Sequence, residues 1–472
     1  MTTFDPSQFA GPGARVHIVG IGGAGMSAIA RVLLGRGVAV SGSDRQPGAS
    51  TDALRNMGAI IHTGHAATHI AGADVLLISS AVRDDNPEVV AARAAGVPVL
   101  KRREALPLLL GDRTQIAVAG THGKTTTTAM IAHILRQTGE DPSYIVGGLM
   151  LNTGDNAHAG RGAAFVIEAD EYDYMFLGLT PTIAVLTNVE HDHPDLFPDL
   201  AAITDAFRQF VARIPEYDGV LIACADDPGA AGLARERRAA GQPTLLYGLD
   251  SPGVDWRGMR GESPGAMTVQ GMQAGQPVQE AVRLPQVGDH NLRNALAALA
   301  AAVAAGVPLP DAAAALESFM GTGRRCEVMG EAGGVTIISD YGHHPTAIRA
   351  TLQAIRQRYP DASIWAVWQP HTYTRTRILH DGFAHAFADA DHVLVTDIYA
   401  ARERPAPGDP DGGRMAAAIR ATGHPDARPS GDLAHTARLL SDALQPGAVL
   451  IIFSAGDAPQ IGEALLRGVH GA

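Results

Sequence analysis

The residues most densely equipped for chemistry are Gly120-Thr121-His122-Gly123-Lys124-Thr125-Thr126-Thr127-Thr128, between the apolar run Ile116 to Ala119 and the segment Ala129 to Leu135. A glycine-rich turn from a strand into a helix presents backbone N–H groups at the positive helix end, where phosphate binds. Lys124 can reach β- and γ-phosphates, and the Thr125 hydroxyl can ligate Mg²⁺. The strict G-x₄-G-K-[ST] pattern requires glycine at 118, where this chain has Val118, so the loop is a shortened relative of that motif. Lysine occurs only at 101 and 124, which sets Lys124 apart.

A second turn, Gly20-Ile21-Gly22-Gly23-Ala24-Gly25-Met26-Ser27, joins the run Val16 to Val19 to a helix over Ala28 to Leu34. Its G-x-G-x-x-G spacing lets backbone approach a diphosphate, and Asp44, 19 residues beyond Gly25, could meet a ribose. The pattern favours a diphosphate without choosing which one. Downstream, Glu168-Ala169-Asp170-Glu171-Tyr172-Asp173 and Thr187-Asn188-Val189-Glu190-His191-Asp192-His193-Pro194-Asp195 each follow an expected strand. Acids and histidines at the carboxyl ends of parallel strands converge beside a phosphate loop, and clustered carboxylates call for Mg²⁺.

Positioning these groups requires α/β architecture. Short β-branched runs alternate with Ala/Leu-rich segments throughout, the pattern of βαβ units around parallel sheets. Expected strands are Val16 to Val19, Val38 to Ser41, Val75 to Ile78, Ile116 to Ala119, Phe165 to Ile167 and Ile183 to Leu186, then Val335 to Ile338, Ile364 to Val367, Val393 to Thr396 and Val449 to Phe453. One core cannot serve them all. A Pro- and Gly-containing connection near Leu106 to Arg113, and Gly321-Thr322-Gly323 after the Ala-dense helix Asn291 to Ala305, divide the chain into domains 1–108, 109–322 and 323–472. Asp250 to Gln279, rich in Gly, Pro and Met, reads as an irregular or β-rich excursion.

Composition narrows the partners. In 472 residues, 37 Lys+Arg stand against 49 Asp+Glu, a net charge of −12. Such a chain is a poor binder of a phosphate backbone, so nucleic acid is not expected. Two cysteines, Cys224 and Cys326, make no disulfide framework and point to a reducing compartment, so a cytoplasmic location is expected. Met1 to Arg15 has no apolar run to serve as a signal peptide, and no apolar stretch approaches the ~20 residues of a membrane span.

Further blocks extend the pattern: Ser41-Gly42-Ser43-Asp44, Ser79-Ser80-Ala81-Val82, Asp289-His290-Asn291-Leu292-Arg293-Asn294, Gly321-Thr322-Gly323-Arg324-Arg325, Asp340-Tyr341-Gly342-His343-His344-Pro345 and Gln369-Pro370-His371-Thr372-Tyr373-Thr374-Arg375-Thr376. Together with the two turns and the acidic segments, in this order, they make the chain resemble the Mur ligase family, ATP-dependent amino-acid ligases of peptidoglycan synthesis. The likeness runs over almost the whole chain and is strongest to the alanine-adding branch. It implies a Rossmann-like first domain for UDP-N-acetylmuramate, a P-loop ATPase-like central domain for ATP, and a Rossmann-like third domain that closes over them with L-alanine.

Carried over residue by residue, the resemblance assigns the UDP-sugar to Gly22, Gly23, Ala24, Gly25, Met26, Asp44, Ser79 and Ser80. ATP falls to Gly120, Thr121, His122, Gly123, Lys124, Thr125 and Thr126, with His290, Asn291 and Asn294 on the adenine side, Arg325 at phosphate and Asp340 at the ribose. Two Mg²⁺ ions would take Thr125, Glu168 and His193 as ligands. Tyr341, His343 and Arg375 would surround L-alanine, Arg375 suiting its carboxylate. Lys124, Glu168, His193, His343 and Arg375 are the catalytic set, with His193 and His343 equally open as base for the amine. The protein is expected to act as a monomer or homodimer.

Other members of the family place a carbamylated lysine at the second metal; no lysine follows Lys124, and the alanine-adding branch does without one. Tyr172 stands where relatives commonly carry Ser, and Thr372 where some carry Arg. The Glu168 to Asp173 string also resembles the ligase that attaches a tripeptide to the same nucleotide, the nearest alternative. An NAD-dependent oxidoreductase would explain only Gly20 to Gly25 and Asp44, and a non-catalytic nucleotide sensor would leave the third domain as a regulatory module.

Overall fold

The computed structural model describes residues 7–468, which build three sheets in chain order. The first is parallel and five-stranded, ordered Ile60–Thr63, Ala39–Asp44, Arg15–Val19, Val75–Ile78, Val99–Lys101. Strand order reverses between Arg15–Val19 and Val75–Ile78, and such a switch point opens a crevice at the carboxyl ends of the strands. The Gly20 to Gly25 turn sits there, feeding the helix Ala24–Gly35.

The second sheet has ten strands. Its parallel part runs Trp256–Arg260, Thr244–Gly248, Val220–Cys224, Ile183–Leu186, Thr114–Ala119, Ala164–Glu168, Ser143–Met150, and antiparallel strands extend both edges. Thr114–Ala119, which carries the phosphate loop, lies between Ile183–Leu186 and Ala164–Glu168, with Ala119 level with Leu186 and Val118 level with Glu168. The two acidic segments therefore leave the sheet on either side of that loop. Strands such as Val75–Ile78, Ile183–Leu186 and Val449–Phe453 are buried throughout, which explains why they read as unbroken apolar runs.

The 250–279 excursion is β-structure. Trp256–Arg260, Ala266–Gln273 and Gln276–Arg283 form antiparallel pairs on the sheet edge, anchored by the buried Trp256. Ala274 and Gly275, both at positive φ (49° and 76°), make the tight turn between the last two.

The third sheet runs Glu327–Ala332, Val335–Asp340, Val449–Phe453, Ile364–Trp368, His392–Thr396, Ala427–Gly431, parallel except for its first strand. It has separate hydrophobic clusters on its two faces, whereas the first two sheets share one continuous cluster in which Ala24–Gly35 packs on Ser143–Met150 and Asp155–His158. The expected connection near Leu106 is a helix instead, Arg102–Leu110, with Pro107 inside it. Pro107 has no N–H for the Arg103 carbonyl, and Gly178 passes so close that a Cβ there would overlap that oxygen. The Gly321 to Gly323 segment is laced to the second sheet, Gly323 N–H donating to Leu149 O at 2.8 Å and Leu151 N–H to Gly321 O at 3.0 Å. Among the described residues, no helix is long and apolar enough to cross a membrane.

Candidate active site between the three sheets

A cavity of about 1010 Å³ opens where the three sheets meet, lined by Gly25 and Arg102 from the first, Lys124 and Glu168 from the second, and Tyr341 and Arg375 from the third. Its floor is the phosphate loop. Gly120 (φ 134°) and Gly123 (φ 81°) have backbone angles that favour glycine, and Gly123 caps the helix Lys124–Gln137 without a side-chain partner, leaving N–H groups free for an anion. Asn188 holds the loop from outside, accepting from His122 N–H at 2.8 Å and donating to His122 O at 3.2 Å.

Lys124 folds over this loop. Its Nζ donates to Gly120 O at 2.5 Å and contacts Glu171 Oε2 at 2.9 Å, with only 12 % of the side chain exposed. Burial lowers its pKa, but Glu171, Asp170 and Glu168 outweigh that and raise it, so Lys124 is held as a cation. Thr125 Oγ1 donates to Glu168 Oε1 at 3.1 Å, while Glu168 Oε2 accepts from Gly147 N–H at 2.8 Å. Burial pushes the Glu168 and Asp170 carboxyls up despite Lys124 nearby, so their ionised forms are disfavoured there and a bound cation would favour them. A hydroxyl and a carboxylate oxygen so close together, next to phosphate donors, fit Mg²⁺.

Three regions of the chain match models of successive Mur ligase domains: residues 15–114 the "Mur ligase family, catalytic domain", 118–302 the middle domain, and 324–456 the glutamate ligase domain. The chain belongs to the Mur ligase family. It is 44% identical over 470 residues to the UDP-N-acetylmuramate–L-alanine ligase of Roseiflexus sp. (strain RS-1), covering 95% of this chain and 98% of that protein. It is 42% identical to the protein of the same name from Desulfosudis oleivorans, over 96% and 98%. The crystal structure of UDP-N-acetylmuramate-alanine ligase from Thermotoga maritima matches with a TM-score of 0.78 at 28% identity, over 97% and 99%. A murein peptide ligase from Psychrobacter arcticus matches at 0.69 and 27%, over 97% and 99%. Membership of this family leaves no place for the oxidoreductase or the non-catalytic sensor.

In this Mur ligase the expected ATP residues other than Gly120 gather on the cavity. Thr121, His122, Gly123, Thr125, Thr126, His290, Asn291, Asn294, Arg325 and Asp340 all line it. Several are already engaged. Asn294 is packed against the loop, its Oδ1 accepting from Thr127 Oγ1 at 3.3 Å, and a Cβ on Gly123 would sit 2.5 Å from it. Both Asp340 oxygens accept backbone N–H groups, from Gly342 at 2.6 Å and Cys326 at 2.8 Å, so this carboxylate ties its own loop to the Arg324–Cys326 segment. Arg325 reaches across to Thr125 Oγ1 at 3.3 Å and stacks over the Tyr341 ring at 4.9 Å.

On the first sheet only Ala24 and Gly25 of the expected UDP-sugar residues line the cavity; Gly22, Gly23, Met26, Asp44, Ser79 and Ser80 do not. Asp44 ties down the turn by accepting from Gly22 N–H at 2.9 Å, and the Met26 side chain belongs to the core. Arg102, absent from the sequence reading, supplies the cation there: a Cβ on Gly25 would sit 2.8 Å from its Nη1. Its place directly after the rare Lys101 was the available signal.

His193, in the left-handed region (φ 52°), puts Nε2 3.5 Å from Glu171 Oε1. Burial lowers its pKa, but Glu171 and Asp192 more than compensate and raise it. His343 behaves oppositely. Burial and the Arg375 charge push it down to about 3, although Asp192 lies 3.7 Å away. Arg375, expected to be free for an amino-acid carboxylate, is buried against Asp192, Nη2 donating to Oδ1 at 2.8 Å and Nε at 3.0 Å. Tyr172 OH donates to Asp195 at 3.1 Å beside His193.

Proposed function

We propose that this Mur ligase joins the amine of L-alanine to the lactyl carboxylate of UDP-N-acetylmuramate, converting ATP to ADP and phosphate. The observation that carries this reading is the 44% identity to an L-alanine ligase over 95% of the chain. Domains 1–108, 109–322 and 323–472 would hold the UDP-sugar, ATP and the amino acid in turn, meeting at the cavity between the sheets. The setting is the cytoplasm, which holds ATP and nucleotide-linked sugars.

The triphosphate lies along Gly120 to Thr126, with β- and γ-phosphates replacing Glu171 as the main partner of Lys124. Thr125 and Glu168 would hold Mg²⁺, which would supply charge neutralisation at the transferring phosphoryl group. Arg325, already on Thr125 Oγ1, adds positive charge from the third sheet. The carboxylate attacks the γ-phosphorus to give an acyl phosphate, whose phosphate is a better leaving group than oxide. Positioning and electrostatics dominate this step. Closure of the third domain excludes water from that intermediate.

The amine of L-alanine then attacks the acyl carbon and expels phosphate. His193 is the base for its proton, because His343, held near 3, cannot retain one at neutral pH. The expected roles of His193 as second Mg²⁺ ligand and as base compete for one Nε2, and its Glu171 contact favours the proton.

Phosphate release with UDP-N-acetylmuramate and, separately, L-alanine, glycine, L-serine and the tripeptide tests this reading. L-alanine should give the highest kcat/KM; preference for the tripeptide would overturn it.

A further inference from the structure

His122, Glu190 and His344 converge from three segments: the phosphate loop, the loop after Ile183–Leu186, and the residue that caps the helix Pro345–Arg358. One ligand atom of each lies within 4.8 Å of the other two. Glu190 Oε2 is the centre, 3.4 Å from His122 Nε2 and 3.5 Å from His344 Nδ1, and it accepts from Thr346 Oγ1 at 2.7 Å. The two imidazole rings lie close, tilted by 46° with centroids 4.6 Å apart. His122 is shared with the phosphate loop, whose backbone faces the triphosphate, while Glu190 and His344 have no part in the ligation chemistry above.

The donor set discriminates between metals. Two imidazoles and one carboxylate suit Zn²⁺, Co²⁺ or Ni²⁺, whereas Mg²⁺ demands oxygen ligands. A ligating histidine must be neutral, and His344 is buried, which disfavours its charged form. The His344 ring nitrogen that faces Glu190 is Nδ1, 3.5 Å from its Oε2. The present partner of Nδ1, the Thr346 N–H, is at 3.3 Å, long for such a bond and cheap to release.

We propose that His122, Glu190 and His344 form a binding site for a divalent transition-metal ion of the Zn²⁺ class, distinct from the Mg²⁺ position at Thr125 and Glu168. Three side chains leave the ion one position for water. Since His122 and Glu190 belong to the second sheet and His344 to the third, all three ligands meet only in the closed cleft. Metal binding and closure therefore favour each other, and an ion bound here holds the third domain down, which slows turnover.

Cobalt(II) is the probe, added to the full chain without nucleotide in excess MgCl₂. The wild type should take up one equivalent with the intense visible bands of four-coordinate cobalt. Glu190→Gln keeps the acceptor for Thr346, and His344→Asn keeps a helix-capping acceptor. Each should weaken cobalt binding roughly tenfold or more, while Glu168→Ala should bind as the wild type does. Zn²⁺ should raise the melting temperature of the wild type and of Glu168→Ala but not of the two site variants. A wild type without the bands and without a Zn²⁺ shift, unchanged cobalt affinity in both site variants, or loss of binding in Glu168→Ala would overturn the assignment.

Discussion

Asp192 and Arg375 form a buried ion pair between the second and third sheets, one aspartate oxygen accepting both Nε and Nη2 at 3.0 and 2.8 Å with the residues 3% and 5% exposed. The guanidinium expected to hold the amino-acid carboxylate thus already holds a carboxylate of the chain. Arg375 Nη1 is also taken, 3.0 Å from His371 Nδ1. An amino-acid carboxylate bound at Arg375 would have to compete with Asp192 or share the guanidinium with it, which would couple such binding to how the third domain seats.

Removing one side of such a pair leaves a buried charge without compensation and costs about 3–5 kcal/mol. Asp192→Ala should therefore loosen the third domain. Chemical denaturation should show an earlier first transition, and limited proteolysis should cut sooner between the second and third sheets. An unchanged profile would mean that the pair does not hold the cleft closed.

His193 and His343 should separate in kinetics. His193→Ala should lower kcat by about 10²-fold, the usual worth of a general base, whereas His343→Ala should act mainly on the KM for L-alanine. The base works deprotonated and its pKa is raised above the ordinary 6.5, so the rate should rise with pH along a limb centred above 6.5. That limb should vanish in the His193 variant and persist in the His343 variant.

Away from the cavity, Glu88 is buried among His17, His65 and His69, receiving the Ser43 hydroxyl at 2.6 Å and lying 2.7 Å from His69 Nδ1. Burial raises its pKa, but the imidazoles and Ser43 prevail and bring it to about 2. A carboxyl depressed in this way stabilises the fold above its ordinary pKa of 4.5 and loses that contribution as pH falls towards 2. Glu88→Gln should cost about 3 kcal/mol at pH 7 by chemical denaturation, and the gap from wild type should narrow below pH 4.5. A gap independent of pH would refute the ionised state.

Lys124→Ala should reduce phosphate release by about 10²–10³-fold, the loss expected for a group that stabilises charge in the transition state. Circular dichroism should show the fold retained. Activity near that of the wild type would take Lys124 out of phosphoryl transfer.

The phosphate loop and the flanking acids were readable because strand, turn and helix follow one another in sequence and each strand concerned has an unbroken apolar run at its centre. Ser143–Met150 was not readable: Gly147 and Gly148 interrupt it, yet Gly147 supplies the N–H that orients Glu168. Pro107 disguised the helix Arg102–Leu110 as a connection and hid Arg102 with it. The partners of Arg375 and Asp340 also escaped, because a buried carboxylate 183 residues away, or a backbone N–H in the same loop, leaves no spacing to read. Spacing revealed which groups could do chemistry, and tertiary packing decided which of them are free to do it.

Isotope transfer tests the central claim most directly. With ¹⁸O in the lactyl carboxylate of UDP-N-acetylmuramate, attack on the γ-phosphorus of ATP followed by displacement by L-alanine must carry one labelled oxygen into the released phosphate. The account predicts one ¹⁸O in each phosphate formed by the wild type; phosphate free of label, with the amide still made, would contradict it.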